Sequence, residues 1–83
     1  MYDMIDYENI AKIFAQTQGC DAIRYAGNRD GYEYYHIFMT SSIGHKTGMP
    51  EFVKINKNGT SILVNSLSER MWALHQEVLL NNL

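Results

Sequence analysis

The spacing of apolar residues in this chain is helical at first, alternates through the middle, and turns helical again near the end. From Tyr7 to Gln18 the side chains of Tyr7, Ile10, Ile13, Phe14 and Thr17 recur every three or four residues, the period of a helix with one buried face. Asp6 stands just before this run, where its carboxylate can accept from free first-turn amides. Glu8 places negative charge at the positive end of the helix dipole. Gly19 suits the left-handed residue that closes a helix. A first helix is expected over 7–18.

Between Asp21 and Asn65 the runs become short, aromatic and β-branched. Asp21–Ala26 and Tyr32–Thr40 flank the glycine-closed loop Gly27–Gly31, and Phe52–Asn56 and Ser61–Val64 flank Lys57-Asn58-Gly59. Two hairpins in tandem predict an antiparallel sheet of three or four strands. The helical period returns at Ser66. Ser66-Leu67-Ser68-Glu69 reads as a capping box, in which hydroxyl and carboxylate each take one orphan amide. Leu67, Met71, Leu74 and Val78 then repeat at i, i+4, i+7 and i+11, and Trp72, Leu79 and Leu83 widen the arc. An arc that broad is expected to touch two partners.

These elements predict one α+β domain over 1–83, in the order helix, hairpin, hairpin, helix, with both helices packed on one sheet face. Alternation assigns Ile23, Tyr25, Tyr35, Ile37, Met39, Val53, Ile55, Ile62 and Val64 to that face. Tyr32, Tyr34, His36 and Phe38, beside Phe52, point the opposite way, where a solvated face should be polar. Such a contiguous aromatic patch is expected to be a partner-binding surface. Ordinary cross-strand pairing of tyrosines is the plainer alternative.

Composition narrows the function classes. With 46% hydrophobic and 19% charged residues the chain is expected to fold as a globular protein. No apolar run approaches the ~20 residues that span a bilayer. The first residues lack the basic start and apolar core of a secretory signal, so a cytoplasmic location is expected. The net charge of −2 comes without a dense basic stripe, which makes nucleic acid an unlikely main partner. A single-strand binder stacking bases on Tyr32, Tyr34 and Phe38, with Arg24, Lys54 and Lys57 on phosphates, is the alternative.

Candidate chemistry is sparse. Cys20 is the lone cysteine, and His36, His45 and His75 form no close ligand pair with it or one another. No metal site and no cofactor are expected. Ser41 and Ser42 lack a nucleophile-elbow context, and the acids are scattered at strand ends. The expectation is therefore not an enzyme, with a ligand site or enzyme built around the loop 41–50 as a further alternative.

The segment from Gly48 to Thr60, followed by a helix, resembles the late hairpin of thioredoxin-fold proteins, where a proline opens a strand and a short glycine turn follows. The redox pair of that family is missing, since Cys20 lies outside any C-x-x-C, and so is its βαβ unit. No redox role is carried over, nor the family's cis-proline at Pro50. The function expected is a small intracellular regulatory module, docking through the aromatic face or the second helix onto a protein partner, a second copy, or both. Size and composition are shared with phage and mobile-element inhibitors of host factors, which is analogy alone.

Overall fold

The computed structural model describes residues 4–42 and 50–81. Its elements are α1 (Tyr7–Thr17), β1 (Ala22–Arg29), β2 (Tyr32–Phe38), a 3₁₀ turn (Thr40–Ser42), β3 (Glu51–Ile55), β4 (Ser61–Leu63) and α2 (Leu67–Asn81). The strands form one sheet in the order β1-β2-β3-β4, every pair antiparallel. This is the expected α+β arrangement with a helix at each end. No parallel pair occurs among the described strands, so the likeness to a thioredoxin hairpin stops at that hairpin.

Helix α1 starts as its cap requires, with the Asn9 amide donating to Asp6 Oδ1 at 3.1 Å. It ends where Gly19 takes φ +76° and the Cys20 amide donates back to the Ala15 carbonyl. Ala11 and Ala15 meet Tyr35, Ile37, Val53 and Ile55 in a first core, with Tyr7, Ile10 and Phe14 packed around them. The two alanines let the helix sit low on the sheet. Ile13, expected in this stripe, is 55% exposed on the helix's far side.

Strand β1 runs further than its sequence suggested. Tyr25 pairs with Tyr35 and Gly27 with Tyr34, so Ala26 is an extra residue bulged out of the ladder. Pairing then continues to Arg29 opposite Tyr32, leaving a two-residue turn of Asp30 (φ +54°) and Gly31 (φ +83°). Positive φ at both positions is the primed hairpin turn that matches strand twist. Gly27, expected in a loop, is therefore a strand residue.

The placement of α2 corrects the expected architecture. The helix lies on the sheet face opposite α1. There Ala73 meets Ala26, Tyr34, Phe52 and Val64 in a second core, with Tyr32, Trp72 and Leu74 around it. The aromatic face is covered, not solvated, with Tyr34 2% and Phe52 0% exposed. The physical reason was visible in β2: a strand apolar on both parities has two faces to bury, and two faces need two layers. The parity of β4 is corrected too. Leu63, not Ile62 or Val64, stands opposite Val53 on the α1 side, while Val64 joins the second core and Ile62 is exposed.

Candidate functional site

Helix α2 is attached to the sheet by polar groups as well as apolar ones. The Glu69 amide receives its cap from Ser66 Oγ at 3.4 Å, so half of the expected capping box forms. The other half does not. The Glu69 carboxylate reaches the sheet instead, accepting from Lys54 Nζ at 2.8 Å and from the Tyr34 phenol at 2.7 Å. Lys54, and then Tyr34, hold the Glu69 carboxyl below its ordinary range, while burial and that same acceptor raise the Tyr34 phenol.

Two turns further along, Glu77 is buried and faces His36 Nδ1 with both oxygens, at 2.6 and 3.1 Å. An ionised carboxylate only accepts, so opposite one, Nδ1 is the donor of this contact. His36 is wedged between Phe38 and Phe52, its ring centroid 4.9 and 5.1 Å from theirs. Arg70 Nε donates to the Val64 carbonyl at 3.2 Å. All three charged residues of α2 thus turn toward the sheet and find partners there.

The aromatic residues singled out in the sequence are brought together, but as the seat of α2. Trp72 meets Tyr34 edge-on at 5.0 Å, a pairing that contributes about 0.5–1.5 kcal/mol beyond burial. Two of the three cations considered for phosphate contact lie over rings of the molecule itself, Arg24 over Phe38 and Lys54 over Tyr32, as Arg29 does over Trp72, while Lys57 is exposed. Of the three residues considered for base stacking, Tyr34 is buried and Tyr32 and Phe38 are half-buried. A cleft of about 300 Å³ remains where Arg29, Tyr32, Lys54, Ser66 and Ser68 surround Glu69. Its lysine is already neutralised by Glu69.

The outward side of α2 is the reverse of an ordinary surface helix. Its exposed residues are Leu67, Ser68, Met71, His75, Val78, Leu79, Leu80 and Asn81, and none is Asp, Glu, Lys or Arg. Leu67, Met71 and Val78 are 63%, 54% and 49% exposed. Of the stripe expected from the sequence, Leu67, Met71 and Val78 lie in solvent and Leu74 is half-buried, while Trp72, Ala73 and Glu77 do the packing. The signal for that inversion was present: acids and an arginine at positions 69, 70 and 77 fall on one arc of the helix, away from the apolar repeat.

The remaining candidates carry little chemistry. Cys20 is half-buried, and burial followed by Glu51 and Asp21 pushes its thiol up, away from a reactive thiolate. His75 stands exposed on α2, and His45 and most of the loop 41–50 lie outside the described residues. No cluster of three or more His, Cys, Asp or Glu among the described residues is arranged to hold a metal, and no described helix is long and apolar enough to cross a membrane. No family model, curated protein or solved structure matches the chain.

Proposed function

We propose that the chain is a protein-binding module that docks through the outward face of α2. One observation carries this reading: every charge of the helix is directed inward, and an uncharged, largely apolar surface is turned outward. Water would favour the opposite arrangement, and contiguous apolar surface of this kind is characteristic of contact sites. The role is docking rather than catalysis, since the buried His36–Glu77 pair and the Glu69 network are spent on seating the helix. Partner binding thus shifts from the aromatic sheet face to the helix that covers it, and Tyr32, Tyr34, His36, Phe38 and Phe52 support the site from beneath.

The test is site-specific photo-crosslinking in cells that produce the protein. A photoreactive side chain placed at Met71 is expected to yield discrete protein adducts, whereas the same group at Asn9, exposed on α1, yields none. Equal labelling from both positions, or no adduct from Met71, would sink the reading.

A further inference from the structure

Leu67, Met71, Leu74 and Val78 are separated by four, three and four residues, the alternating spacing of a helix–helix seam. The series reads the same from either end. Two such helices laid antiparallel across a two-fold axis between Trp72 and Ala73 bring Leu67 against the partner's Val78 and Met71 against the partner's Leu74, so each of the four meets another of the four. Leu74 is half-buried on the shoulder of the second core and forms the inner wall of the seam.

Charge points the same way. A two-fold axis sets each residue beside copies of its neighbours, so a charge near the axis meets its own sign. On α2 that conflict is absent. Glu69, Arg70 and Glu77 are turned inward and paired with Lys54, the Val64 carbonyl and His36, and His75 is the one titratable side chain exposed on the helix. The apolar area is also narrow. Beside α2, Arg24 and Arg29 of β1 are exposed and charged, so on that side the apolar surface ends at the helix and fits another helix better than a broad partner. A contact of one helix on one helix is expected to be weaker than a standard interface of roughly 800 Å² per partner, at the micromolar end.

Resting on the docking role of α2, we propose that the partner on this face is a second copy of the chain, paired antiparallel through Leu67, Met71, Leu74 and Val78. The experiment is sedimentation of the full chain from about 5 to about 500 µM, a range over which mass action fills a weak dimer. The wild-type mass is expected to rise from monomer toward dimer. Met71→Glu and Met71→Lys, at an exposed position, should each stay monomeric with the fold intact by circular dichroism, weakening association at least tenfold. An equimolar mixture of the two should associate again, because opposite charges now meet near the axis. A wild-type chain that remains monomeric, or a dimer indifferent to both substitutions, overturns self-pairing. Adducts from Met71 holding only foreign proteins overturn self-pairing while leaving the docking role standing, and no adducts at all would remove both.

Discussion

Gly27 holds φ at +114° inside a strand, and a Cβ there would meet Gln76 and Trp72 of α2 at 3.6 and 3.8 Å. The space is ordinary contact distance, so the cost of a side chain lies in the backbone. Gly27→Ala is expected to lower stability by about 1–3 kcal/mol in urea unfolding, the range for a non-glycine forced into a sparsely populated conformation. Glu69 gives a different residue-scale handle. Its carboxyl is held low by Lys54, so its contribution is present above the unfolded carboxyl's pKa of about 4.3 and is lost as pH falls through the lower folded value. The urea midpoint should therefore fall with acidification below about pH 4.3. Glu69→Gln should cost about 1 kcal/mol near neutrality, discounted because 24% of the side chain stays in water, and should flatten that acid limb. A residual acid slope is expected from Asp21, held low by the Thr40 amide and hydroxyl.

At the scale of elements, most of the fold was legible. The Asp6 cap, the Gly19 stop, the two hairpins and the Ser66 cap each rest on local chemistry that short stretches of sequence display. What was not legible depended on distance in the chain. The bulge at Ala26 lies under α2, where Ala26 joins the second core, and Glu69 and Glu77 bond Lys54, Tyr34 and His36 across the sheet, contacts between residues far apart in the chain. Alternation with a single buried face leaves Tyr34 and Phe52 in solvent, whereas β2 buries both its faces. The breadth of the apolar arc of α2 is legible, but which part of it meets the sheet is not. The His36–Glu77 pair tests the seating of this helix. His36→Ala leaves a buried carboxylate unpaired and should cost about 3 kcal/mol or more, whereas His36→Phe combined with Glu77→Leu should cost far less than the two single changes together. Additive losses in that double-mutant cycle would show that the two side chains do not act as a unit.

The described residues form a four-stranded sheet with one helix on each face and a small core on each side. Two thin cores of this kind leave each helix half in water, and the two helices treat that half differently. On α1 it carries Glu8, Asn9, Lys12, Gln16 and Thr17, with Ile13 alone among them. On α2 it carries Leu67, Met71, Val78 and Leu79 without a charge. The molecule thus has one helix with a charged outer face and one with an uncharged, largely apolar outer face, the face proposed to be covered by a partner. Methyl NMR spectra recorded at increasing protein concentration test this most directly. The methyl signals of Leu67, Met71, Leu74 and Val78 are predicted to shift together with concentration while those of Ile37, Val53 and Ile55, buried beneath α1, stay fixed. Shifts confined to the α1 side, or α2 methyls indifferent to concentration throughout, would contradict the account.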